Sequence, residues 1–366
     1  MSWALLAGRL SGGLARGRGP AGPAPGWPRV ATATRRAQSA WALTYRRHGP
    51  PAEALRLERV TVPAPGPGEV RVRMLAAPVN PADLNVVEGV YPLRPVLDDE
   101  PVVGGNEGVG VVEAVGAAVA DLAAGDKVIP MAANVGTWRE ALTLPAEAWM
   151  KVPADLPDAT LATMFINPCT ALRMLEDYVA LREGDVLVQN GANSAVGQAV
   201  IQLAHSRGIR TINIVRDRPD LLELSTHLRA LGATVVTTPD HARRDAGGLP
   251  APSLGLNCVG GSSGLLVAKL LAKGGTMVTY GGMSKRPVTI PTSLLIFKDI
   301  KAEGFWLSGR QGSDRASKAA MLEALYPLLR AGALRPARHV EVPLRSFAEM
   351  FRQEGAKSVL TMPTPA

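Results

Sequence analysis

Apolar and polar residues alternate with a period of two along Glu69-Val-Arg-Val-Arg-Met-Leu75, the pattern of a strand with one face buried. Residues 109–115 and 126–129 repeat it more briefly, and from Trp41 to about Lys151 such runs are broken by Gly and Pro. This stretch predicts a β-rich domain. Within it, the segment opening at Asn80-Pro81 has helical character, stops at Gly89 and delivers Tyr91 into a Pro-rich loop. Near Thr163 the pattern changes to helix, with Pro168 a plausible first-turn residue. Six β-like runs then follow, at 185–190, 211–215, 234–238, 254–259, 276–280 and 301–307, with helical runs between most of them and a loop-like stretch at 241–248. Strands and helices alternating at this spacing predict an α/β fold with a doubly wound parallel sheet. The tail holds a helix from Ala319 to about Arg330 and then β-like and helical text. It is too short for a domain and is expected to pack back on the first one.

The first strand-to-helix junction carries the first candidate chemistry. A β-forming run ends at Asn190, and after a tight turn apolar residues recur at helical spacing with Gly197 one turn in. Such a turn aims backbone N–H groups and a helix dipole at one spot, where a diphosphate can sit. The glycine fingerprint is partial, reading Ala192-x-Ser194-x-x-Gly197, and taken alone it fits an ordinary turn equally well. Arg216, 19 positions past Gly197, stands at the end of the next strand with Asp217 and Arg218. An NAD site puts a carboxylate there for the ribose 2′-hydroxyl. A guanidinium suits a 2′-phosphate instead, so the cofactor is expected to be NADPH. Gly281 and Gly282 mark a strand-end loop of the kind where ligands of open α/β sheets sit.

Composition narrows the classes. A chain of 366 residues, 46% hydrophobic, can bury a large core and has room for two domains. The formal charge of +8 is concentrated in residues 1–40, whose six arginines meet no Asp or Glu, leaving +2 for the remainder. A near-neutral body argues against a nucleic-acid partner. An Arg-rich, acid-free leader fits a mitochondrial transit peptide, with cleavage expected near residues 36–40. No apolar run is long enough to cross a bilayer. Cys169 and Cys258 are the only cysteines and the five histidines form no short-spaced ligand pair, so reduced thiols and no metal are expected.

Gly104-Gly-Asn-Glu-Gly-Val-Gly110, Asn167-Pro-Cys-Thr170, Gln189-Asn190, Arg216-Asp-Arg-Pro-Asp220, Asn257-Cys-Val-Gly-Gly261 and Gly275-Thr-Met-Val-Thr-Tyr-Gly-Gly-Met283 resemble the zinc-free, quinone oxidoreductase-like branch of the medium-chain dehydrogenase/reductase superfamily. The likeness is stronger to its mitochondrial trans-2-enoyl thioester reductases, and runs from about residue 43 to the end. It implies a leader over 1–40, a GroES-like catalytic domain over 41–168, a Rossmann NADPH-binding domain over 169–309 and a C-terminal segment, 310–366, packed on the catalytic domain. Where the zinc branch has Gly-His-Glu, this chain has Asn106-Glu107 after glycine, so a metal-free proton donor is needed. The resemblance gives that role to Tyr91, with hydride delivered to C3 of an enoyl thioester on acyl carrier protein or CoA. It places Asn167 at the nicotinamide end, Asn193, Ser194, Ala195 and Val196 at the diphosphate, and Arg216, Asp217 and Arg218 at the adenosine phosphate. Tyr280, Gly281, Gly282 and Met283, with Phe305, Trp306 and Leu307, would flank the nicotinamide and pocket, and Lys357 would reach the cofactor. It also implies a homodimer joined at sheet edges, for which 294–297 and 305–307 are apolar enough.

Two departures stand out. The loop after Tyr91 carries Asp98, Asp99 and Glu100 and is longer and more acidic than the resemblance leads one to expect, and residues 239–253 look shortened. A quinone or enone reductase shares the cofactor site without a long acyl channel. A catalytically idle NADPH-binding protein is also compatible with the altered loop.

Overall fold

The structure, a computed structural model, describes residues 37–311, 314–352 and 356–363. Residues 1–36 of the expected leader lie outside them, whereas its last residues, 38–40, already pair in the first strand, so the expected boundary at 40 falls too late. The first strands are β1 (Gln38–Tyr45), β2 (Arg56–Val62), β3 (Glu69–Pro78), β4 (Val102–Val103), β5 (Val109–Val115), β6 (Lys127–Pro130), β7 (Ala141–Pro145) and β8 (Trp149–Lys151). β1 pairs antiparallel with β2 and β4, and β3 pairs antiparallel with β5 and β7. The alternation read in β3 is a true two-faced strand. Val70, Val72 and Met74 are buried, while Arg71 and Arg73 lie on the other face and share Glu113 at 3.4 and 3.3 Å.

The second sheet consists of β9 (Val186–Asn190), β10 (Arg210–Ile214), β11 (Val235–Thr237), β12 (Leu254–Asn257), β13 (Thr276–Thr279) and β14 (Lys301–Gly304). All pairings are parallel and the order is β11-β10-β9-β12-β13-β14. This is the doubly wound Rossmann arrangement, whose order reverses beside β9, the switch point at which sheets of this kind bind ligands. β9 is buried at all five positions, as a strand covered by helices on both faces must be. Residues 241–248 are not wholly loop, since Ala242–Asp245 makes one helical turn. The sixth strand is also shorter than the expected 301–307, because pairing with β13 ends at Gly304.

The C-terminal segment divides its packing. The helix Arg315–Arg330 starts earlier than its sequence pattern and puts Met321, Leu322, Leu325 and Tyr326 into one core cluster with Leu172, Leu175 and Leu203. β15 (His339–Pro343) and β16 (Lys357–Thr361) instead extend the first sheet, β16 running antiparallel to β3. β16 thereby carries Lys357 to the strand that leads into the Tyr91 helix.

Candidate active site

Tyr91 owes its position to a short, well-capped helix. Pro81 begins Pro81–Glu88 with a preset φ and no N–H to leave unpaired. The Asp83 carboxylate accepts from the Asn80 backbone N–H at 2.7 Å, one arm of a capping box. Gly89 ends the helix at φ 79°, a conformation that favours glycine, and the Tyr91 N–H returns to the Asn85 carbonyl at 3.2 Å. The side chain then meets Trp306 from the other sheet. Trp306 Nε1 donates to the Tyr91 hydroxyl oxygen at 2.9 Å, with the rings edge to face at 6.3 Å. Indole can only donate, so the phenol oxygen accepts and its own proton is left for another group. Burial raises the Tyr91 pKa; the Trp306 N–H opposes this and the Asp83 charge adds to it. The hydroxyl is therefore protonated at neutral pH.

Behind Tyr91 lies a buried polar network. Asn80, Asp83, Glu107 and Asn167 are each less than a tenth exposed. Asn80 Nδ2 donates to Glu107 Oε2 at 3.1 Å, and Asn80 Oδ1 accepts from Asn167 Nδ2 at 3.1 Å and from Lys357 Nζ. Glu107 Oε1 accepts the backbone N–H groups of Phe165 and Ile166 at 3.1 and 2.8 Å, where the helix Ile166–Glu176 begins. Asn106 donates to Asp83 at 2.6 Å and accepts from the Asn134 N–H at 2.6 Å. The residue replacing a zinc-ligand histidine is thus held through both its amide nitrogen and its amide oxygen. Burial pushes Asp83 and Glu107 up and Lys357 down, and their mutual attraction opposes each shift. For Glu107 the geometry favours the ionised form, because its three direct partners are all donors. No group of three or more His, Cys, Asp or Glu side chains that could hold a metal occurs among the described residues.

At the switch point, Ser194 caps the helix Ala195–His205, its Oγ accepting from the Gly197 N–H at 3.1 Å. A Cβ on Gly197 would stand 2.6 Å from the Ala192 carbonyl oxygen, so the helix lies against the turn as closely as glycine allows. Among the described residues the N–H groups of Ala195 and Val196 have no acceptor, which leaves them for an anion. The buried Tyr280 hydroxyl likewise lacks a well-placed acceptor, although it lies beside Cys258 and Ser194. Free backbone donors, an orphaned hydroxyl and a glycine-tight turn fit the diphosphate end of a dinucleotide. At the end of β10, Arg216 is exposed and has no ion-pair partner among the described residues. Arg218 is held in a two-pronged pair by Asp220, so the expected adenosine-phosphate cations are unequal.

Sequence expectation and geometry part company at the sixth strand. Phe305 and Leu307 are each 6% exposed and belong to the core, while Trp306 is 38% exposed. Alternation past the strand end sends only the middle residue of the three outward. Their burial also removes Phe305 and Leu307 from any subunit edge. Gly281 packs against Cys258, Gly282 has open space, and Met283 is exposed. In the acidic loop Arg46 donates to the Asp99 carbonyl and Arg94 to the Tyr91 carbonyl, both at 3.2 Å.

Sequence reasoning missed Asn80, Asp83, Asn106 and Glu107 as a unit, and Lys318 altogether. Lys318 is 2% exposed; its Nζ donates to the Pro130 carbonyl and sits 3.7 Å from the Phe165 ring centroid. Burial pulls its pKa down to about 8, with the Glu107 charge opposing. A lysine on the apolar face of the helix Arg315–Arg330 was the available signal.

A β-rich half, a Rossmann half whose switch point fits a dinucleotide, and a tyrosine at their junction define a medium-chain dehydrogenase/reductase. The alcohol dehydrogenase GroES-like domain family matches residues 66–154, and the zinc-binding dehydrogenase family matches 195–324. The chain belongs to the mitochondrial enoyl-[acyl-carrier-protein] reductase family. It is 48% identical over 319 residues to that enzyme of Xenopus tropicalis, covering 85% of this chain and 90% of the relative. It is 47% identical over 333 residues to the Homo sapiens enzyme, covering 88% of each. The solved complex of Etr1p with NADP and crotonyl-CoA superimposes with a TM-score of 0.82 at 34% identity, over 88% of this chain and all of that one.

Proposed function

We propose that the chain reduces trans-2-enoyl thioesters, carried on acyl carrier protein or CoA, to saturated acyl thioesters with NADPH, in mitochondrial fatty acid synthesis in the matrix. The carrying observation is the Tyr91 hydroxyl, which accepts from Trp306 Nε1 across the junction of the two sheets and keeps its own proton. NADPH bound at the Rossmann switch point would supply hydride to C3 of the enoyl group. Reduction there leaves enolate-like charge on the thioester, and the Tyr91 hydroxyl gives its proton to C2. Trp306 Nε1, already donating to that oxygen, steadies the phenolate that results.

Asn167 and Lys357 serve the nicotinamide end, and Asn193, Ser194, Ala195 and Val196 the diphosphate. Arg216, with Asp217 and Arg218 beside it, serves the 2′-phosphate. Tyr280, Gly281, Gly282 and Met283 line the strand-end loop with Trp306, and Phe305 and Leu307 support it from the core. The working division is a leader that ends before β1 begins at Gln38, a catalytic domain from there to 168, a nucleotide domain over 169–309 and a C-terminal segment over 310–366. The functional unit is a homodimer.

The test is NADPH oxidation with a trans-2-enoyl-CoA. Tyr91→Phe keeps the ring and loses the proton, so kcat should fall roughly 10²–10⁴-fold while NADPH affinity stays within about twofold. Unchanged turnover would remove Tyr91 from the chemistry. Activity on a simple quinone with none on any enoyl thioester would replace the substrate class.

A further inference from the structure

Every hydrogen bond around Asn80 has a fixed sense. Lys357 Nζ can only donate, so it must meet the amide oxygen of Asn80. Glu107 accepts two backbone N–H groups with one oxygen and the Asn80 Nδ2 group with the other. Asn80 Oδ1 in turn takes Asn167 Nδ2, which leaves the Asn167 oxygen outside the network. Four side chains from segments around 80, 107, 167 and 357 are thereby locked in one polarity. Asn80, Glu107 and Asn167 are buried and Lys357 is half-buried, so water has little access to repair a reversed contact among the first three.

We infer that Glu107 and Asn80 are positioning residues that set this polarity, so that Asn167 offers an acceptor oxygen, and the Lys357 ammonium is held beside it, for the nicotinamide riboside end of the cofactor. The inference rests on the proposed NADPH reading and deepens it. The ligand group met by Asn167 must be a hydrogen-bond donor, such as the carboxamide NH₂ or a ribose hydroxyl. Asn80 and Glu107 act through Asn167 and Lys357 and touch no reacting atom.

Glu107→Gln exposes the logic. The new amide nitrogen must face either the two backbone N–H groups or the Asn80 Nδ2 group, and each choice sets donor against donor. Were Asn80 to turn over, its nitrogen would face Lys357 and Asn167. E107Q should therefore weaken NADPH binding roughly tenfold or more and lower kcat at saturating NADPH. Asn80→Asp alone sets a second carboxylate against Glu107 and should also be impaired. The double variant N80D/E107Q restores the pattern, because the amide at position 107 donates to the carboxylate at position 80, which still accepts from Lys357 and Asn167. It should recover NADPH affinity and kcat to within a few-fold of wild type, a rescue that general loosening of the fold cannot give.

The measurements are an NADPH fluorescence titration, enoyl-CoA kinetics and thermal melting on the full chain, with Tyr91→Phe alongside. Folded E107Q with wild-type affinity and kcat, or a double variant no better than the worse single one, overturns the inference. If E107Q does not fold, Asn80→Ser keeps a helix-capping hydroxyl while removing both amide arms. Unchanged NADPH affinity in folded N80S overturns the inference equally. Because the titration needs no substrate, a wild type that binds NADPH but reduces no enoyl thioester defeats the functional reading separately.

Discussion

At the scale of single residues, the two arginines after β10 are chemically alike and differently employed. Arg218 has its guanidinium fork filled by Asp220, whereas Arg216 is exposed and has no such partner among the described residues. A charge-assisted contact to a 2′-phosphate contributes about 1.5–3 kcal/mol. Arg216→Ala should therefore raise the NADPH dissociation constant roughly 10–100-fold and leave NADH binding nearly unchanged, while Arg218→Ala does much less. Titrating both cofactors against both variants checks this, and equal losses for NADPH and NADH would count against a phosphate contact. The position of Arg216 just past β10 was legible because it is fixed by counting from the glycine turn. Asn80, Asp83, Asn106 and Glu107 were not legible as a cluster, since they come from separate segments and nothing local marks a polar residue as buried. Phe305 and Leu307 were read as pocket residues because an apolar strand end looks the same whether it meets a ligand or a core.

Among the elements, β9, β10, β12 and β13 could be placed from sequence because strands with nearly every position buried read as β-forming runs that end in turn residues, whereas the edge strand β14 is exposed at all four positions and was placed by the helix–strand spacing. β14 was overextended, since apolar Phe305-Trp-Leu307 follow it directly while pairing stops at Gly304. The helix Arg315–Arg330 showed its apolar stripe but not its cost, which lies in Lys318. This lysine titrates at about 8 in the fold against roughly 10.4 in the unfolded chain, so between those values the unfolded state binds more protons and stability rises with pH. The linked contribution is present above about pH 10.4 and is lost as pH falls through 8. Relative to Lys318→Met, which lacks this titration, the wild type should therefore gain on the order of 3 kcal/mol between pH 7 and pH 10.5. Denaturant unfolding of both proteins at the two pH values measures the change. A pH-independent difference would mean that Lys318 stays charged in the fold, with Glu107 compensating its burial.

For the whole molecule, the unfinished feature is one edge of the nucleotide sheet. β14 ends the strand order, all four of its residues are exposed, and its outer N–H and C=O groups form a row open to pairing. Beside it, the helix Thr292–Ile296 and the residue after it leave Leu295, Ile296 and Phe297 exposed at 46%, 64% and 75%. An open strand edge with an adjoining apolar ridge suits a two-fold contact in which β14 pairs with its own copy and the ridges cover one another. Trp306, two residues beyond β14, would then be steadied from the partner side, linking assembly to the group that holds the Tyr91 oxygen. In the proposed homodimer, the double substitution Ile296→Asp and Phe297→Ser removes the ridge without touching any core position. It should convert a species sedimenting at twice the chain mass into one at the chain mass, with far-ultraviolet circular dichroism unchanged. NADPH affinity should survive, because Arg216 and the Gly197 turn lie toward the other end of the sheet, while kcat falls as Trp306 loses its support. A wild type that sediments as a single chain would end the dimer proposal, and a dissociated variant with full kcat would separate assembly from catalysis.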